Sequence, residues 1–368
     1  LRARPDNERA KEPGGEDVMR GCSFVVAAAT ILGSMPAWAD PIADFYAGKR
    51  IDFVIRSGVG GGYDSYSRLL ARHIRKHIPG NPQVVPVNMP GGGGIVAANY
   101  LAYKAPKDGT VLSIVGQGLV VDQALGLNES FKADLREFNW IGNLSATNQV
   151  LVAWHTSPTR TLKDATARET VIGATGAGSI SVQVPALLNN LLGTRFKIVQ
   201  GYPGGEEINL AMERGELEGR ATNPWVSYKA TEPRLVTEKL IRPLVQIGMR
   251  KEHDLPDVPL LRELAQKPEH QPILDFISEA VVVGRPIATT PGVPKERIAA
   301  LREAFEKTLK DPEFLKDAEN QRAEIDPMTG TELAALIDKL INPPADTRAK
   351  VKAAIEPGKV HNAPGSKN

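Results

Sequence analysis

Four glycine-rich stretches of this 368-residue chain carry the spacing of anion sites: Gly58–Asp64, Met89–Gly94, Gly176–Ser179 and Gly201–Glu207. Each follows a short apolar run and precedes a pattern of apolar residues at helical spacing. A helix N-terminus exposes unpaired N–H groups and the positive end of a dipole. A glycine loop in front of it lets a ligand reach the backbone, so such a loop binds an anion without any lysine or arginine. Taken singly, each loop reads more often as just a tight turn; the repetition favours binding.

Other chemistries are poorly supported. Tyr63 stands where the dinucleotide fingerprint G-x-G-x-x-G needs its last glycine, and Ser181 does so in the Gly176 loop. No loop ends in Gly-Lys-Ser/Thr, and no G-x-S-x-G elbow is present. The single cysteine, Cys22, excludes an intramolecular disulfide and any cysteine-ligated metal cluster. His73 and His77 lie four apart, but Ile74 replaces the glutamate of a zincin, and Arg72, Arg75 and Lys76 repel a cation. That segment reads as a solvated basic helix end. Glu206 and Glu207 read as dipole partners in a first helical turn rather than as an acid–base pair. Asp64 reads as a cap of the first helix, paired with Arg68. Arg220 and Arg285 are candidates for facing a carboxylate, or else members of salt bridges. Tyr202, Asn223 and Trp225 either close over a ligand or belong to the scaffold. With 45 Lys+Arg against 43 Asp+Glu, the chain has no general electrostatic attraction to nucleic acid or anionic lipid.

The elements that must position these loops follow a repeating pattern. Ile51–Arg56, Val84–Asn88, Val111–Val115, Val171–Ala174 and Lys197–Gln200 read as strands, most entering a glycine loop and then a helix. The third ends in Gly116-Gln117-Gly118. This repetition predicts α/β architecture, with mostly parallel sheets flanked by helices. Trp140–Asn143 and Pro256–Pro259 read as crossings between two domains. Val150–Trp154, Leu217–Thr222, Arg242–Ile247 and Glu279–Arg285 read as further strands. Two amphipathic helices follow, one through Ile298, Leu301 and Phe305, the other opened by a capping box from Thr329 to Glu332. Before the fold, Met19–Ala39 has a charged start, a short apolar run and an A-x-A end, the pattern of a secretory signal cleaved after Ala39. Residues 1–18 read as an extension upstream of the natural start. The alternative is a cytosolic chain with an apolar N-terminal helix.

Gly60-Gly61-Gly62-Tyr63-Asp64, Asn88–Gly94, Ala105–Thr110, Pro256–Pro259 and Thr290–Arg297, in this order, resemble the periplasmic substrate-binding proteins of tripartite tricarboxylate transporters, the Bug receptors. The resemblance implies a type II periplasmic binding protein with a hinged cleft between two domains. Domain 1 is then 40–142 with 258–368, and domain 2 is 143–257. It implies a small organic carboxylate as ligand, held in domain 1 largely through backbone N–H groups and water. The expected ligand contacts are Gly58, Gly60, Gly61, Tyr63, Asp64, Pro90, Gly91, Gly92, Gly93 and Gln117 in domain 1. Domain 2 supplies Gly178, Ser179, Tyr202, Gly204, Asn223 and Trp225, and the returning segment supplies Arg285. No cofactor, metal or catalytic residue is expected. The implied partners are the membrane permease subunits, with no nucleic acid, and the receptor is expected to act as a monomer. Gln183 stands where many relatives have histidine, and Arg214–Glu218 replaces a Gly-Gly-x-x-Asp turn. Both changes fall in the domain that reads the ligand. Two rivals remain open: a Rossmann-like enzyme acting on an anion, and a ligand sensor for a signalling partner.

Overall fold

A computed structural model of the chain describes residues 40–356, 358 and 361–363. The leader expected at residues 1–39 lies outside the described residues. Helix α1 (Pro41–Tyr46) leads into β1 (Arg50–Ile55), α2 (Gly62–Ile74), β2 (Gln83–Asn88), α3 (Ile95–Tyr103), β3 (Val111–Ile114), α4 (Gly118–Leu125) and β4 (Asn139–Asn143). The chain then crosses to β5 (Gln149–Trp154), α5 (Leu162–Ala167), β6 (Thr170–Gly173), α6 (Ile180–Leu192), β7 (Phe196–Gln200), α7 (Gly205–Glu213), β8 (Gly219–Pro224), α8 (Trp225–Thr231), α9 (Pro233–Thr237) and β9 (Ile241–Ile247). It returns through α10 (Gln271–Ala280) to β10 (Pro286–Thr289), α11 (Lys295–Leu309), α12 (Pro312–Asn320), β11 (Met328–Thr329) and α13 (Gly330–Ile341). Helix α14 (Ala345–Ile355) and β12 (His361–Asn362) follow.

Two six-stranded sheets result, in the orders β11-β4-β10-β3-β1-β2 and β12-β7-β6-β8-β5-β9. Each sheet with its helices forms a lobe. The βαβ repeats give the parallel pairs β1–β2, β1–β3, β6–β7 and β6–β8. The strands at the crossings pair antiparallel: β4 and β10 in the first sheet, β5 with β8 and β9 in the second. The sheets are therefore mixed, which corrects the expectation of mostly parallel pairing. Runs of βαβ units predict parallel neighbours, but a strand that leaves one lobe for the other does not belong to such a unit.

Two local expectations also change. Glu279–Arg285 is not a strand. Helix α10 ends at Ala280, and Val281–Val283 form a 3-10 turn that buries Val281 and Val283. Gly284 then adopts φ +61°, and a Cβ there would collide with the Ser145 carbonyl. The strand starts only after that bend. The C-terminal segment, expected with domain 1, pairs instead with the second sheet: His361 and Asn362 lie opposite Val199 and Gln200 of β7. Met328–Asn143 and Thr329–Gly142 pairing places the expected crossing residue Gly142 inside a sheet, and the chain passes between the lobes just after it.

Burial organises three apolar layers. One face of the first sheet packs on α2, α11 and α12 through Tyr66, Leu69, Phe305 and Phe314. One face of the second packs on α7 and α8 through Ile208, Met212, Trp225 and Tyr228. The layer between is shared: Leu101, Val121, Ile277 and Ile337 join Leu187, Leu188 and Val351 in a single cluster. Fully burying each such side chain contributes roughly 1.5–3 kcal/mol, so this shared layer ties the lobes together. Thr329 caps α13, and the Glu332 carboxylate accepts the Thr329 N–H in return. Among the described residues, no helix is long and apolar enough to cross a membrane.

Candidate functional site

The carboxyl ends of β1, β3, β6, β7 and β8 open toward one another, the place where α/β sheets present ligands to helix N-termini. A cavity of about 60 Å³ lies there between the lobes. Four helices of eight or more residues start at its wall: α2, α4, α6 and α7. Their N-caps Gly61, Gln117, Ser179 and Gly204 all line it. Only Ser179 uses its own side chain as a cap, accepting from the Ser181 N–H at 3.2 Å.

Two arginines share this wall. Arg56 follows β1 and is 7% exposed; its guanidinium stacks 4.6 Å over the Tyr63 ring. Arg220 of β8 is equally buried. It donates Nη1 to Asn209 Oδ1 at 3.0 Å and Nη2 to Asn223 Oδ1 at 2.7 Å. The Nε of each has no hydrogen-bond partner. Among the described residues, no aspartate or glutamate lines the cavity. A unit charge about 4 Å from a guanidinium gains roughly 4 kcal/mol at an effective dielectric of ~20. One helix N-terminus contributes about 0.3–2 kcal/mol. The guanidinium groups therefore set the sign and strength of this site, and the helix dipoles reinforce them.

The expected ligand residues separate into three sets. Gly61, Tyr63, Gln117, Ser179, Gly204 and Asn223 line the cavity. A second set forms the contact between lobes beside it. The Gly58 N–H donates to the Pro203 carbonyl at 3.1 Å, and Gly60 (φ +92°) faces the Glu206 side chain. The Gly178 N–H donates to the Gly92 carbonyl at 3.2 Å. Gly93 packs its α-carbon against Gly176, Gly178 and Ser179, so the Pro90–Gly93 loop serves this contact rather than the cavity wall; Pro90 is exposed and Gly91 half-buried. A third set holds the frame. Asp64 accepts from Gly60 N, Arg68 Nε and Asn88 Nδ2 at 2.9–3.0 Å. Burial works to raise the Asp64 carboxyl, but these donors hold it below its ordinary value. Trp225 is buried and donates Nε1 to Asp254 at 2.8 Å, while Tyr202 packs on the α7–α8 core. Arg285, 1% exposed, stands behind Gly62. It stacks 3.8 Å over Tyr66 and donates Nη2 across the lobes to Ser227 Oγ at 2.6 Å. Burial pulls its pKa below the ordinary value.

Arg56, Gln149, Thr222 and Ser227 line the cavity and escaped the sequence reading. Arg56 carried one signal: a charged residue directly at the end of an apolar strand, two positions before a glycine loop. His73 and His77 form separate pairs, with Asp317 at 2.8 Å and Asp311 at 2.7 Å. Among the described residues, no group of three metal-ligating side chains occurs.

A model of the tripartite tricarboxylate transporter family receptor matches residues 67–356. This chain belongs to that receptor family. A UPF0065 protein of Agrobacterium vitis is 27% identical over 303 residues, 78% of each chain. One from Cupriavidus necator is 29% identical over 254 residues, covering 65% of this chain and 72% of the relative. Among solved structures, periplasmic binding protein BugD aligns at TM-score 0.67 and 18% identity, over 85% of this chain and all of its own. MatC of Rhodopseudomonas palustris with bound malate aligns at TM-score 0.65 and 20% identity, over 84% and 99%. An R. palustris protein with adipate aligns at 0.65 and 19%, over 86% and 99%. These likenesses show the two-lobed fold.

Proposed function

We propose that this receptor binds a small organic carboxylate in the cavity between its lobes, outside the cytoplasm, and presents it to the membrane subunits of its transporter. The observation that carries this reading is one cavity with two buried arginines, four helix N-termini and, among the described residues, no lining acid. The malate and adipate held by the two R. palustris proteins support it. Residues 40–142 and 258–341 form one domain and 143–257 the other, with the C-terminal segment returning to the second. The receptor acts as a monomer and releases its ligand unchanged. Opening and closing use the crossings after Gly142 and around Pro256. Closure brings Arg56 and Arg220 to the ligand and seats the glycine loops on one another.

A thermal-shift screen over organic acids, aromatic carboxylates included, tests this. An acid present at about 100 times its Kd adds roughly 2.7 kcal/mol of stability, so the melting temperature rises for anions and stays put for their amides. Stabilisation by uncharged compounds alone would overturn the reading. Recovery of a chemically altered acid would overturn its non-catalytic part.

A further inference from the structure

One hydroxyl in the cavity wall is held from the opposite lobe. Ser227 of α8 lines the cavity and is 1% exposed. Its Oγ lies 2.6 Å from Arg285 Nη2. A guanidinium only donates, so Ser227 Oγ is the acceptor in that bond. Its own O–H proton therefore points elsewhere, and among the described residues no acceptor takes it. A helical serine ordinarily returns this proton to a carbonyl one turn back. Ser227 is in the first turn of α8, and Asn223, four positions back, belongs to β8. We propose that Ser227 donates this proton to the ligand's carboxylate and that Arg285 is the positioning residue that aims it. This rests on the carboxylate reading above and adds a donor and its support to that site.

Arg285 is anchored for that support. Its backbone N–H donates to Asn143 Oδ1 at 2.7 Å, and its carbonyl accepts from Leu144 N at 3.2 Å, so it is fixed at the crossing out of the first lobe. The Tyr66 ring, 3.8 Å away, covers one face of the guanidinium. Nε and Nη1 are buried without hydrogen-bond partners, and the one side-chain bond formed goes to Ser227. The charge therefore acts on the cavity through that hydroxyl. Accepting from a cation polarises the O–H and strengthens it as a donor. Gly62 lets the two side chains meet: a Cβ there would stand 2.2 Å from Ser227 Oγ and 3.4 Å from Arg285 Nη2. The bond joins one lobe to the other, so it forms only where they close. The hydroxyl reaches full strength as a donor in the closed form, which ties the grip on the ligand to closure.

A double-mutant cycle by isothermal titration tests this, with malate, succinate, adipate and benzoate as probes on the wild-type chain, S227A, R285M and S227A/R285M. For the tightest-binding acid, S227A is expected to raise Kd by about 30-fold or more, the loss of a hydrogen bond to a charged group. In the R285M chain the hydroxyl is present but neither aimed nor polarised, so S227A is expected to cost only about 3- to 10-fold there. A bond that merely held the lobes together would leave S227A without effect in the R285M chain, and that result overturns the donor role. Equal losses in both backgrounds overturn the positioning role of Arg285. S227A binding within about twofold of wild type overturns both. R285Q takes the place of R285M, with the same expectations, if R285M does not fold. S227C, whose thiol is a weaker donor, is expected to fall between wild type and S227A. A wild-type chain that binds none of these acids, nor any in the thermal-shift screen, overturns the carboxylate reading itself.

Discussion

Alanine at Gly176 separates the two uses of glycine in this fold, as a turn residue and as a surface for closure. Its φ lies outside the left-handed region, so alanine is unstrained within its own lobe. A Cβ there would stand 2.6 Å from Gly93 N and 2.9 Å from the Gly92 carbonyl carbon, both in the other lobe. Ordinary contact begins at 3.4 Å, so the gap is short by most of an ångström against rigid backbone. Overpacking of this kind costs about 1–3 kcal/mol. If closure bears that cost, the population of the closed state falls by about 5- to 150-fold, and the apparent affinity for the best acid falls with it. The melting temperature of the unliganded protein stays nearly unchanged. Small-angle scattering of G176A with acid present keeps the profile of the open form. Gly193→Ala is the control. Gly193 ends α6 at φ +70° with nothing within 4 Å of its Cβ position, so alanine there strains the backbone by about 1–2 kcal/mol without touching closure. That variant melts earlier and binds normally. G176A binding within about twofold of wild type, with full compaction, would refute the reasoning.

Three further perturbations have defined signs. The hydrogen bond from Glu232, then burial, lifts the Glu206 carboxyl to about 7, so stability from this pair is present below 4.5 and lost as pH rises toward 7; melting curves of E206Q show a flatter pH dependence across that window. Asp64→Asn removes a carboxylate bonded to Gly60, Arg68 and Asn88. It costs about 1.5–3 kcal/mol by denaturant titration, and it removes the stability that wild type loses as pH falls below 3.8 toward the lowered Asp64 value. Thr329→Ala breaks the α13 capping box and costs about 1 kcal/mol in unfolding, with ligand affinity measured by titration unchanged.

How much of this was legible from residues alone depended on whether the signal was local. The βα repeats were visible because a strand, a glycine loop and an apolar-faced helix are contiguous in sequence. The Thr329–Glu332 box was visible for the same reason, its two partners lying one turn apart. Val281–Val283 misled, since a β-branched run that packs in a turn looks like a strand until the Gly284 bend is seen. Arg56 was overlooked because a charged residue after a strand reads as solvated. Its neighbours, the Tyr63 ring, Gly94 and Gly116, come together around it only in the fold. The meaning of the glycines was hidden for a related reason. Gly93, Gly118, Gly176 and Gly178 each meet backbone or side chains from the opposite lobe, and no sequence window contains both sides of that contact.

Strand β10 has a consequence for the order of assembly. It is four residues long and sits between β3 and β4, with Ile287 opposite both Ile114 and Gly142. During synthesis from the N-terminus, β1, β2 and β3 can pair early, but β3 keeps an open edge and β4 has no neighbour. Strands β5 to β9 are made before β10 appears, and they lack only the two-residue edge strand β12. The lobe begun first is thus finished second. Pairing so distant in sequence is slow, and an unpaired edge invites other chains. The first lobe's three early strands therefore spend the longest time as an unfinished template, and the arrival of β10 ends that exposure.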